Sequence, residues 1–132
     1  MSDKIAFDLV SPERLLLSDH ADMITLPGTE GYMGVMAGHA PVISTLRPGT
    51  INVEGAPGGE MRFFIRGGFA EITASKITVL AEEAVPMAEL DITLLDQRIK
   101  DAEEDVAAAK TDAERERATE TLDGLKQVRA AF

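Results

Sequence analysis

The chain has 132 residues, 13 Lys and Arg against 23 Asp and Glu, a formal net charge of −10 and no cysteine. That length suits one compact domain of about 85 residues with an appendage. The acidity argues against nucleic acid and against direct lipid binding, since both ligands demand basic patches, and a cysteine-free chain has neither disulfides nor thiolate metal ligands.

The start, Met1-Ser2-Asp3-Lys4, has neither the apolar stretch of a signal peptide nor the Arg-rich look of a transit peptide. No apolar run approaches the ~20 residues that span a bilayer. The cytoplasm is therefore the expected compartment, with partner proteins as the route to any membrane.

Residues 1–86 hold ten of the 11 glycines and all six prolines, which marks them as strands and turns. Ile5, Phe7 and Leu9 alternate with Ala6, Asp8 and Val10, the period of a strand with one buried face. Pro12-Glu13-Arg14 reads as a turn before Leu15-Leu16-Leu17. Further strands are expected at 23–26, 50–54, 61–66, 69–73 and 76–80. They are separated by Pro27-Gly28, Pro48-Gly49, the stretch 55–59 and Gly67-Gly68. Short strands at this spacing predict an antiparallel β-sandwich or flattened barrel.

The segment from Pro27 to Pro41 has glycines at 28, 31, 34 and 38 but lacks Gly-Lys-Ser/Thr and opens no helix, so it does not read as a phosphate loop. It is expected to be a long loop carrying Tyr32, Met33 and Met36. Packing of the loop on the domain and contact with a partner protein are both open for it.

After Pro86 the period changes. Ile92, Leu95, Ile99, Ala102, Val106 and Ala109 form one helical stripe, with Asp91 as N-cap. Thr111-Asp112-Ala113-Glu114 has the capping-box form and starts a second helix with Ala118, Leu122, Leu125 and Phe132 as its buried stripe. An antiparallel two-helix hairpin over residues 87–132 is expected in preference to one continuous helix. It carries twelve acids against seven bases, and its stripes are rich in alanine, so alone it buries little.

Catalytic constellations are poor. His20 and His39 have no metal-ligand spacing, and Ser44 lies in no Gly-x-Ser-x-Gly. The paired carboxylates lie on the helices, where a solvated face explains them. A metal-holding or client-binding factor with an acidic hairpin is the competing class, but the hairpin tip, residues 108–112, carries one acid and one base. The residues point to a non-catalytic protein that works by holding partners.

Leu9-Val10-Ser11-Pro12-Glu13-Arg14, Pro27-Gly28-x-Glu30-Gly31-x-x-Gly34-Val35, Gly38-His39-Ala40-Pro41, Leu46-x-Pro48-Gly49, Gly67-Gly68-Phe69-x-Glu71 and Thr78-Val79-Leu80-Ala81-Glu82 together resemble the epsilon subunit of bacterial and chloroplast F-type ATP synthases. The resemblance implies an α+β fold: a sandwich of about ten strands over 1–86 that binds gamma and the c-ring, followed by a regulatory hairpin over 87–132. It implies a rotor subunit of the central stalk that couples proton-driven c-ring rotation to ATP synthesis through gamma. The location implied is the cytoplasmic face of the bacterial inner membrane, held there through the complex.

By the same resemblance Glu30, Gly31, Tyr32, Met33 and Gly34 face the c-ring, with Tyr32 and Met33 at the loop tip, and His39, Ala40 and Pro41 face gamma. In members that inhibit ATP hydrolysis, basic residues of the second helix meet the alpha/beta catalytic head transiently. The corresponding residues here are Arg115, Arg117, Lys126 and Arg129, balanced by Glu114, Glu116, Glu120 and Asp123. Some members bind regulatory ATP through Ile/Leu-Asp-x-x-Arg-Ala. Aligned on Leu90-Asp91, this chain has Leu94-Leu95 in place of Arg-Ala, so no cofactor is expected.

Overall fold

The computed structural model describes residues 4–132; the first three residues of the predicted 1–86 unit, and with them most of the Met1-Ser2-Asp3-Lys4 start, lie outside the described residues. Eight strands occur among the described residues: β1 (Ile5–Val10), β2 (Leu15–Ala21), β3 (Met23–Gly28), β4 (Gly31–Val35), β5 (Val42–Leu46), β6 (Gly49–Glu54), β7 (Met61–Ile72) and β8 (Lys76–Pro86). Their order is β2-β1-β8-β7-β5-β3-β4, with β6 closing between β3 and β7. All pairs are antiparallel except β1 with β8.

Two layers arise because β7 and β8 are long enough to run through both. The first half of β7 pairs with β6 and its second half with β5. One layer therefore holds β2, β1, β5 and the Phe69 end of β7; the other holds β4, β3, β6 and the Phe63 end. The change of direction falls at a bulge at Gly67 and Gly68, where φ is +152° and +140°. A side chain at Gly68 would meet the Leu80 carbonyl, so only glycine fits. The sequence expectation of a turn between two strands at Gly67-Gly68 is corrected to one kinked strand; the sandwich of about ten strands is built among the described residues from eight, of which β7 and β8 each serve both layers.

The expected long loop from Pro27 to Pro41 is also corrected. Pro27-Gly28 ends β3, Thr29-Glu30 is a two-residue turn, and 31–35 return as β4. Repeated glycine hid this strand, because it removes the alternation a strand shows in sequence. Alternation held where side chains are large. Ile5, Phe7 and Leu9 are sealed from water and meet Ile24, Ile51 and Ile65 of the facing layer. Burying each such side chain contributes about 1.5–3 kcal/mol.

A short 3-10 turn (Met87–Glu89) leads to α1 (Ile92–Ala108) and α2 (Asp112–Ala130). The two helices are separate, as the capping signals predicted. The Asp91 carboxylate accepts from the N–H groups of Thr93 at 2.9 Å and Leu94 at 3.3 Å. The Thr111 hydroxyl accepts from the Glu114 N–H at 3.1 Å, and Glu114 reaches back to the Lys110 N–H at 3.0 Å. Of the predicted stripes, Leu95, Ala102, Leu122 and Leu125 are buried, while Ile92 and Phe132 are exposed. Phe132 lies beyond the last helical residue, so the stripe never reaches it. Val128, absent from the predicted stripe, takes the buried place instead.

Candidate functional site

Strand register places one apolar row on the solvent face of the β1–β2 layer. Thr45 of β5 pairs with Phe69, Phe69 with Leu80, Leu80 with Val10, and Val10 with Leu15. Because cross-strand partners share a face, these side chains stand side by side. The next row on that face is Ile43, Glu71, Thr78, Asp8 and Ser18. Ile43 is 71% exposed, Leu15 57%, Phe69 49% and Leu80 45%. Scattered exposed apolar residues are ordinary; Phe69, Leu80, Val10 and Leu15, one from each of four neighbouring strands with Thr45 of β5 as the polar end, are not.

Charge on the face is unevenly settled. The Asp8 carboxylate accepts from the Ser18 hydroxyl at 2.7 Å and sits 3.0 Å from the Lys76 ammonium. The Ser18 hydrogen bond and then Lys76 hold Asp8 below the usual carboxylate range, against the opposing effect of burial. Glu71 has no ion-pair partner among the described residues.

The β3–β4 turn stands at the corner of this face, where the Thr29 N–H donates to the Thr45 carbonyl at 3.2 Å. Thr29 and Glu30 are the exposed tip. Tyr32 and Met33, expected at the tip, are instead within β4. The Tyr32 hydroxyl accepts from the Thr50 N–H of β6 at 3.0 Å, and Met33 packs against the sandwich core. Both therefore have a folding role, the packing alternative left open for this segment, in place of the tip position that the resemblance implied. His39, Ala40 and Pro41 lie in the connection between β4 and β5. It is pinned by the Gly38 N–H on the Ala74 carbonyl at 2.7 Å and leads straight into Val42 and Ile43.

On the opposite layer the outer face is covered by the hairpin. Phe64 and Val85 of the sheet meet Leu95, Ala102, Leu122, Leu125 and Val128. Arg98 of α1 donates to both oxygens of Glu83 at 2.7 and 2.9 Å, and its guanidinium lies 5.8 Å from the centroid of the Phe64 ring. That hydrogen-bonded pair pulls Glu83 below the usual carboxylate range and raises Arg98. Arg47 donates to Gln127 at 2.7 Å, and Gly124 lets α2 approach the Pro48 carbonyl so closely that a Cβ there would collide with it.

Of the predicted regulatory cations, Arg129 pairs with Asp96 at 2.8 Å across the hairpin and Arg115 with Asp112 at 3.0 Å. Arg117 and Lys126 are exposed and have no ion-pair partner among the described residues. Leu95 is buried in the hairpin core while Leu94 points to water. Among the described residues no three His, Cys, Asp or Glu side chains converge as a metal site would need, and no helix is long and apolar enough to cross a membrane.

The apolar row escaped the sequence reading. Its signal was present: Phe69-Ala70 and Val79-Leu80-Ala81 are apolar on both faces of their strands, the pattern of a strand covered on both sides. Glu71 and Leu80 entered the sequence reading as members of expected strands and of family motifs, not as surface.

Comparison with known proteins matches residues 4–87 to the family of the ATP synthase delta/epsilon chain β-sandwich domain. The chain is 58% identical over 129 residues to the ATP synthase epsilon chain of Parvibaculum lavamentivorans, covering 98% of each. It is 45% identical to that of Mesorhizobium japonicum over 132 residues, covering all of this chain and 98% of the relative. A chain of the Euglena gracilis mitochondrial ATP synthase, solved as an assembly of OSCP, F1 and c-ring, superposes with a TM-score of 0.76. That pair is 28% identical and covers 97% of this chain and 81% of the other. A chain from the Tetrahymena thermophila central stalk and c-ring shares the fold at a TM-score of 0.64 and 14% identity, covering 97% and 98%.

Proposed function

The chain belongs to the family of ATP synthase epsilon chains, and from that membership we propose how its surfaces divide the work of a central-stalk subunit. It is a non-catalytic rotor component that couples c-ring rotation to ATP synthesis through gamma. It is held at the cytoplasmic face of the inner membrane by the complex rather than by lipid. The observation that carries this reading is the row from Thr45 through Phe69, Leu80 and Val10 to Leu15, apolar surface left in water where the hairpin covers only the other layer.

In this reading the row receives gamma, with His39, Ala40 and Pro41 at its edge. The corner turn meets the c-ring, led by Glu30, with Gly31, Tyr32, Met33 and Gly34 behind it in β4. The hairpin acts on ATP hydrolysis by leaving the sheet and offering Arg115, Arg117, Lys126 and Arg129 to the alpha/beta head. Arg115 and Arg129 must exchange their present partners to do so. ATP is not a ligand: Leu94 gives phosphate no hydrogen bond, and Arg98, the nearest cation, is already held by Glu83.

The test is a chain with Phe69→Asp and Leu80→Asp in membranes. Both side chains face water, so the isolated variant should unfold at the parent temperature while ATP-driven proton pumping is lost. Unchanged pumping with the variant incorporated would remove this face from the coupling path.

A further inference from the structure

We propose that docking on the apolar face is read by charge as well as by shape, with Glu71 as the acid that the partner must meet with a guanidinium or ammonium group set inside an apolar patch. This rests on the reading of that face as the seat of a partner protein.

Glu71 stands in the second row, with Ile43 opposite it on β5 and Thr78 opposite it on β8, and Phe69 two residues earlier on the same face. None of these side chains offers it a charge. The cation within diagonal reach is Lys76, two residues from Thr78 along β8. Its ammonium is committed to Asp8 at 3.0 Å, and Asp8 is further satisfied by Ser18. The two acids of the row therefore differ: Asp8 enters an interface already neutralised, and Glu71 does not.

A partner that covers Ile43 and Phe69 also strips water from Glu71. A carboxylate only accepts hydrogen bonds, and leaving it dehydrated without a donor opposes binding. A cation at that point removes the penalty and fixes register along the row. An acidic or purely apolar surface of the same shape is rejected. The neighbouring Lys76 cannot be borrowed without exposing the same problem at Asp8.

The experiment measures affinity of the full chain for purified gamma at low and high ionic strength. Glu71→Gln keeps shape and removes charge; it should weaken binding about tenfold or more at low salt and flatten the salt dependence. Glu71→Lys should weaken it further. Binding of Glu71→Gln as tight as the parent, or tighter, overturns the inference. Phe69→Ser with Leu80→Ser separates the two ideas. If that pair loses affinity while Glu71→Gln does not, the charge is rejected and the docking face stands. If the pair also binds normally, the face itself is rejected and Glu71 with it. Unfolding midpoints should match the parent in every variant, since all three side chains face solvent.

Discussion

In the sandwich, Ile5, Phe7, Leu9, Ile24, Ile51, Ile65 and Ile77 come from both layers and are fully withdrawn from water. The hairpin's buried set is smaller in kind as well as number: Leu95, Ala102, Leu122, Leu125 and Val128, completed by Phe64 from the sheet and Met87 from the turn that precedes α1. The sandwich thus carries its own core, whereas the helices share one with the sheet they rest on. A region with its own core keeps its shape under load. A region whose core is closed by a borrowed sheet face can be released, because what it loses on leaving is a small apolar contact and a few polar clasps.

The contrast is tested most severely in the sandwich core. Phe7→Ala removes a wholly buried ring and should cost about 3–5 kcal/mol, enough to destabilise the entire chain. Denaturant titration should show the β signal and the helical signal moving together to lower midpoints. If only one of them moves, the two regions are not ordered in the way described.

A middle-sized effect is expected at the contact between regions. Gly124→Val places methyl groups against the Pro48 carbonyl and should weaken docking by about 1–3 kcal/mol. Amide exchange should accelerate through α1 and α2 while β1, β7 and β8 stay protected. Uniform acceleration in both regions would mean that the sandwich leans on the hairpin.

How much of this was legible in sequence depended on side-chain size and on partners across space. Ile5, Phe7 and Leu9 announced their strand because each inward residue is large and each neighbour is not. Asp91 and Thr111 announced helix starts because capping is local chemistry that spans three residues. β4 was hidden by its glycines. β5 was missed because Val42-Ile43-Ser44-Thr45-Leu46 has no clean alternation; its outward Ile43 belongs to an exposed row. Phe69-Ala70 and Val79-Leu80-Ala81 mark their strands as covered on both faces, but which residues stand side by side in the row is set by register between strands, which no local pattern encodes. The packing role of Tyr32 stayed open in sequence because its partner, the Thr50 N–H, lies 18 positions away. The Arg98 clasp on Glu83 likewise exists only once the helix folds back.

The smallest expected effect is at that clasp. Arg98→Met should weaken docking by about 1 kcal/mol, discounted because both groups are partly in water. Its sign with pH follows from Glu83, whose folded carboxyl is held below its ordinary value of 4.5 chiefly by the Arg98 hydrogen bonds. Its contribution is fully present above that ordinary value and is lost as pH falls through the lower folded value. Hairpin protection measured by amide exchange should therefore decline in acid in the parent and decline less in Arg98→Met. Identical acid profiles would assign the loss to other carboxylates.

The division of labour between the two regions is tested most directly by removing the hairpin and asking whether the motor still makes ATP. A chain ending at Glu89 uncovers Phe64, so Phe64→Thr is included to keep the bared sheet face soluble. Membranes carrying this form should assemble the complex and retain proton-driven ATP synthesis, with ATP hydrolysis equal to the parent or faster. Assembly with synthesis lost would contradict the account, because torque would then be passing through the helices.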